Sequence, residues 1–256
     1  MLLQPFLGAL IVYRQVTWAV APACAAVVLV FLIREPAIIL ARQKWVWRAP
    51  RPETQQAKRF LAWEIPLLGV AGIALGFVWS LRIVAILGGS AAALTALAVY
   101  MTIQNRQRVI WFQALSAAGL GSSALAVCFA IQGSVPVWGW WFWGLHAAHF
   151  LTAILVVHVR LDARIAAKRQ APFAIPRQAL WAQYAWFAAG AALLTMSMPV
   201  YAAGILMSAL AHLADLRSIR KPEAVAMPLK QVGLRAMALS IVFTLFVVAG
   251  SIERLL

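Results

Sequence analysis

The stretch WGWWFWGLHAAHF, Trp138–Phe150, continues without a break into LTAILVVHVRLDAR, Leu151–Arg164. It opens on Trp138, Trp140, Trp141 and Trp143, carries His146 and His149 through apolar chain, and ends at Arg160 and Arg164. Indole rings settle where lipid meets water, about 20 apolar residues cross the roughly 30 Å hydrocarbon layer, and arginine favours the cytosolic end. Val137 to His158 therefore reads as a membrane-crossing helix that enters from outside and leaves inside.

The same logic extends outward along the chain. Of 256 residues, 64% are hydrophobic and 11% charged, with a mean hydropathy of +0.86; a soluble domain has roughly 45–50% apolar and 25% charged residues. Polar clusters cut the sequence into nine predicted spans: Met1 to Tyr13, Thr17 to Ile33, Leu61 to Trp79, Ile83 to Ile103, Val109 to Ile131, Val137 to His158, Leu180 to Thr195, Pro199 to Leu213, and Val232 to Gly250. The expected fold is an all-α, polytopic transmembrane bundle forming a single integral membrane domain over residues 1–256. GSVP at Gly133–Pro136 and MSMP at Met196–Pro199 predict tight connections. Cys24 and Cys128 both sit in apolar runs and read as buried small side chains.

The net charge of +15 has to be read by position. With nine spans, all 22 basic residues except Arg14, Arg82 and Arg254 fall on one side, in loops near 34–60, 104–108, 159–178 and 215–231. Such loops are cytosolic, so the amino terminus is expected inside and the carboxyl terminus outside, in the inner membrane. The charge also attracts anionic lipid headgroups, so membrane lipids are the expected partners and nucleic acid is not. The first span is short, about 20 Å at 1.5 Å per residue. It is expected either to re-enter or to be a helix whose beginning lies upstream.

MLLQPFLGAL, FLIREPAIILARQK, HAAHFLTAILVVHVRLDAR and MPLKQVGLRAMALSIVFTLFVV, in that order, resemble the YwiC-like family of bacterial multi-pass membrane proteins. Its members have a His-Gly-Ala-Trp segment before a Met-Leu-Leu-x-Pro helix, an Arg-Glu-Pro closing the second helix, and a final Lys/Arg-x-x-Gly-x-x-Glu helix. Met1–Pro5, Arg34–Pro36 and Lys230–Arg235 match in place. The His-Gly-Ala-Trp segment is missing, and Arg235 stands near the usual acid. The resemblance brings no activity with it.

Chemistry is therefore sought among polar residues that a bilayer makes costly, since these face the bundle interior and mark sites. His146 and His149 lie about 60° apart on one helical face, which Arg160 and Arg164 continue toward the cytosol. His158 and Asp162 take the opposite face, and His212 with Asp215 forms a second pair three apart. The expected ligand-binding residues are Arg34, Glu35, His146, His149, Arg160, Arg164, His212 and Asp215. Gathered at a cytosolic-side cavity, they suit an anionic amphiphile, a phosphate or carboxylate on a lipid- or quinone-like tail.

Simpler readings stand beside this one. Pro36 favours a helix break with Arg34 and Glu35 as a local ion pair, Glu64 pairs with Arg59 or Lys58, and the buried histidines tie helices together. The tryptophans of helix six form an outer belt. No metal is assigned, and bis-histidine haem is disfavoured because His146 lies about 12 Å below Trp138, far from His158 and His212. No cofactor follows from the sequence. The nine-span plan resembles the intramembrane prenyltransferases, but their aspartate-rich motifs are replaced here by Arg34 with Glu35 and by Asp162. A permease for a small anion or amphiphile, with His146 and His149 in its path, is the alternative.

Overall fold

A computed structural model describes residues 2–47 and 51–255; Met1 and Arg48, both used above, lie outside the described residues. Every described element is helical: α1 Leu3–Tyr13, α2 Val20–Arg42, α3 Pro52–Gly76, α4 Leu81–Ile103, α5 Ile110–Gly121, α6 Ser123–Gln132, α7 Val137–Lys168, α8 Arg177–Thr195, α9 Pro199–Ser218, α10 Pro222–Ala226 and α11 Leu229–Glu253. A π-helical turn, Gln43–Trp47, prolongs α2. Among the described residues, each of the nine predicted spans overlaps helix, the fifth being shared by α5 and α6. Seven are long and apolar enough to cross a bilayer: α2 with its π turn, α3, α4, α5 with α6, α7, α9 and α11. The protein is thus an all-helical, multi-pass membrane protein. Outside the seven are α1, only 11 residues long, and α8, whose 19 residues include Arg177, Gln178, Gln183 and Tyr184.

The helices group into two compact units. The smaller is built from residues 14–113 and 125–136. In it α2 and α3 form a hairpin that the Thr54 hydroxyl closes on Gln43 Oε1 at 2.7 Å. The Trp79 indole donates to the Phe129 carbonyl and the Thr17 hydroxyl to the Ala130 carbonyl, each at 2.9 Å. Two expectations are corrected here. α2 runs straight through Pro36, because a proline removes one helical hydrogen bond and a packed helix can bear that loss. Glu64 Oε2 is buried and accepts no hydrogen bond, so Lys58 and Arg59 do not close that oxygen.

The larger unit comprises residues 1–13, 114–124 and 137–256, and α7 is its spine. Phe142, Leu145, His149, Thr152, Val156, Val159 and Ala163 are all buried. They recur at alternating intervals of three and four, the seam of a helix packed lengthwise against others. α1, α8, α9 and α11 pack on α7 or on one another. α1 fits closely: a Cβ on Gly8 would lie 2.7 Å from Phe142 Cζ and 3.1 Å from Thr244 Cγ2.

The depth of α1 follows from its two ends. Tyr13 meets the Trp138 ring edge-on at 5.0 Å, at the start of α7. The Leu2 carbonyl accepts from Ser123 Oγ at 2.8 Å, beside the junction of α5 and α6. Eleven residues rise about 16 Å, about half of the roughly 30 Å hydrocarbon thickness. At the junction the Trp143 indole donates to the Ala118 carbonyl at 2.9 Å, an oxygen also taken by the Ser122 amide at 3.0 Å. The two helices part at Ser122, whose amide nevertheless keeps its helical bond to the Ala118 carbonyl.

Candidate functional site

His146 and His149 project from the buried stripe of α7 and have no exposed surface. His146 Nδ1 lies 2.8 Å from the Phe142 carbonyl. That oxygen can only accept, so Nδ1 carries the proton; Nε2 lies 3.1 Å from the Thr244 hydroxyl, whose own proton goes to the Ser240 carbonyl at 2.8 Å. His149 Nε2 meets Ser240 Oγ at 3.1 Å, and its Nδ1 is buried without a partner. Its ring lies near-parallel to Phe243 at 4.1 Å and to His212 at 5.6 Å. His212 Nδ1 bonds the Gln183 amide oxygen at 3.2 Å, and the Gln183 amide nitrogen donates to the Thr152 carbonyl at 3.1 Å.

These contacts are interhelical pairs rather than one continuous wire. His146 with Thr244 and His149 with Ser240 join α7 to α11, while His212 with Gln183 joins α9 to α8. Neither the His146 nor the His149 side chain lines a cavity described below.

Three turns further along α7 the chemistry becomes ionic. Arg160 grips Asp215 of α9 with two guanidinium edges, Nε to Oδ2 at 2.7 Å and Nη2 to Oδ1. The same guanidinium donates to Ser218 Oγ at 3.1 Å and, through Nη1, to the Ala224 carbonyl of α10 at 3.1 Å. A fork with five donors suits this task, which a lysine could not match. Asp215 is thereby taken by Arg160, not by His212 as its spacing suggests. Arg164, one turn on, has an Nη1 that is buried and has no partner. It lines a small cavity with Arg160, Ile219, Val225, Met227, Leu229 and Val232. The cavity volume is about 10 Å³, room for one water-sized group.

Of the eight expected site residues, Arg160, Arg164 and Asp215 thus cluster at the end of α7 or beside it, and His146, His149 and His212 lie deeper in the same unit. Arg34 and Glu35 stand on α2, in the other unit; Arg34 Nε is buried without a hydrogen bond. His158 and Asp162 occupy half-buried positions on α7. No group of three metal-ligating side chains occurs among the described residues.

Sequence reasoning missed Gln183, Ser240 and Thr244, which complete the histidine contacts. A signal existed: Ser240 and Thr244 lie four apart on one face of a span that is apolar from Ala236 onward apart from them, and Gln183 is an amide within another. It also placed Trp143 only in the belt, whereas its indole bonds the Ala118 carbonyl beside the α5–α6 junction.

Neither the curated proteins nor the solved structures yield a match to this chain. The family model described as YwiC-like protein matches residues 1–129, half of the sequence. Met1–Pro5 and Arg34–Pro36, which carry the resemblance, fall within the match, and Lys230–Arg235 lies beyond it. The chain belongs to the YwiC-like family.

Proposed function

We propose that the protein binds an anionic amphiphile at the cytosolic face of the inner membrane, with Arg164 as the residue that meets its head. The observation that carries this reading is the buried, unpartnered Nη1 of Arg164. A guanidinium nitrogen held away from water without an acceptor is costly, and one phosphate or carboxylate oxygen would satisfy it. Arg160 cannot serve equally, because Asp215 already neutralises it. The cavity takes one oxygen, while Val225, Met227, Leu229 and Val232 offer apolar surface to the first carbons of a tail. The amino terminus lies inside in this reading, so that the Arg164 end of α7 faces the cytosol.

Thermal unfolding of detergent-purified protein tests the proposal. Dioctanoyl phosphatidylglycerol should raise the melting temperature, by the equivalent of about 2.7 kcal/mol at a hundredfold excess over its dissociation constant. Dioctanoyl phosphatidylcholine should not. Arg164→Gln should abolish the response while leaving the unliganded melt close to that of the parent; an undiminished response in this variant overturns the reading.

A second reading, a permease, draws on a different observation. The interrupted span at Gly121–Ser123 resembles the discontinuous helices on which transporters build their binding sites. It differs from the first in its prediction: vesicles carrying the protein would take up a small anion, and removing the indole's bond at this junction with Trp143→Phe would change the rate.

A further inference from the structure

A second cavity lies in the larger unit, on the outer half of α7. Its floor is Leu145, Trp186, Leu193 and Ile205, all buried, and its rim includes Trp140, Trp141, Ala189, Ala192 and Gly144. The volume is about 580 Å³, within the range of roughly 300–1,000 Å³ found for small-molecule sites. Every lining residue is apolar or an indole, and the Trp186 indole N–H is already committed to Ser208 Oγ at 2.8 Å. The floor offers nothing for a polar ligand to bind.

Length and position restrict the occupant further. From Val137 to Leu145 the groove runs about 12 Å along α7, close to the roughly 15 Å depth of one leaflet's hydrocarbon. It opens beside Trp140 and Trp141, rings of the kind that mark headgroup level. Gly144, Ala189 and Ala192 keep it open where bulkier lipid-facing residues would fill it; a Cβ on Gly144 would meet nothing within 4 Å. Gly144 and Arg164 are 20 residues apart, about 30 Å along the helix. The groove is therefore a different place from the arginine cavity.

We infer that this groove holds one acyl chain of a phospholipid from the adjacent leaflet, inserted between α7 and α8 with its glycerol end at Trp140 and Trp141. The chain closes the groove against Trp186 and completes the packing of α7 on α8 on the lipid side. A second copy of the protein would need a protruding apolar ridge to fill the same slot, whereas a lipid tail already has the required chemistry and depth.

Photocrosslinking tests the inference. Protein reconstituted in vesicles of phosphatidylethanolamine and phosphatidylglycerol, doped with a phosphatidylcholine bearing a diazirine on one acyl chain, should label peptides containing Trp140–Leu145 and Ala189–Leu193. Gly144→Phe and Ala192→Phe each fill the groove from a different wall and should abolish that labelling while preserving the protein's melting profile. Undiminished labelling in both variants overturns the inference. So does a protein–protein crosslink between cysteines placed at Val137 in two copies with no lipid label, which would assign the groove to a second copy.

Discussion

Arg160 and Asp215 are 55 positions apart in the chain and meet through two parallel charge-assisted hydrogen bonds, with the Arg160 side chain 7% exposed and that of Asp215 29%. The pair joins α7 to α9, and its third and fourth bonds draw in Ser218 and α10. Removing one member leaves the other charge without compensation. Asp215→Asn should therefore destabilise the protein by about 3 kcal/mol, the lower end for a buried pair because Asp215 is partly exposed. Replacing both, Arg160→Met with Asp215→Leu, should recover much of the loss. Thermal unfolding in detergent measures both, and a single variant as stable as the parent would remove the clamp from the account.

The histidine contacts predict an unequal pair of effects. His149→Ala deletes a ring packed against Phe243 and His212 and leaves a cavity, at a cost of about 3 kcal/mol. Ser240→Ala deletes only the interhelical hydrogen bond, worth about 0.6 kcal/mol in a membrane. His149→Phe, which keeps the stack, should resemble Ser240→Ala. Should Ser240→Ala cost as much as His149→Ala, hydrogen bonding rather than packing would govern this seam.

Glycines separate into two kinds. A Cβ on Gly204 would stand 2.7 Å from Phe246 Cβ, whereas one on Gly233 meets nothing within 4 Å. Gly204→Val should push α9 from α11 and destabilise by about 1–3 kcal/mol. Gly233→Ala should be neutral or stabilising by up to about 1 kcal/mol, from helix propensity alone. Melting temperatures of the two variants check the contrast.

Orientation has its own test. In a background without Cys24 and Cys128, a cysteine at Ser134 or Ser197 should react with a membrane-impermeant maleimide in intact spheroplasts. One at Gln107 or Gln170 should react only after permeabilisation. The reverse pattern would invert the proposed topology and place Arg164 outside.

Helices are readable in the sequence because hydrophobic length is a strong signal, and among the described residues every predicted span overlaps helix. What escaped was local and contextual. Pro36 reads as a boundary in isolation, yet α2 passes through it, since packing overrides a single missing hydrogen bond. The junction of α5 and α6 at Gly121–Ser123 is met by the indole of Trp143, more than 20 residues away, and no window along the chain sees that contact. His212 and Asp215 face the same way on α9, so spacing pairs them; in three dimensions Gln183 and Arg160 reach them first. Arg164 was named by its face on α7, but that its Nη1 is left unpartnered depends on α10 and α11 closing over it.

The seam of α7 also sets a counting rule. His149 and Arg160 are carried by one helix without interruption, so their relative phase is fixed by the number of residues between them. Deleting one residue there would turn everything beyond it by about 100° and draw it about 1.5 Å along the axis. The arginine would leave Asp215 while the histidines stayed in place. A change of seven residues would nearly restore the phase but would carry the arginine about 10 Å along the axis, so the number of residues between these two positions is itself constrained.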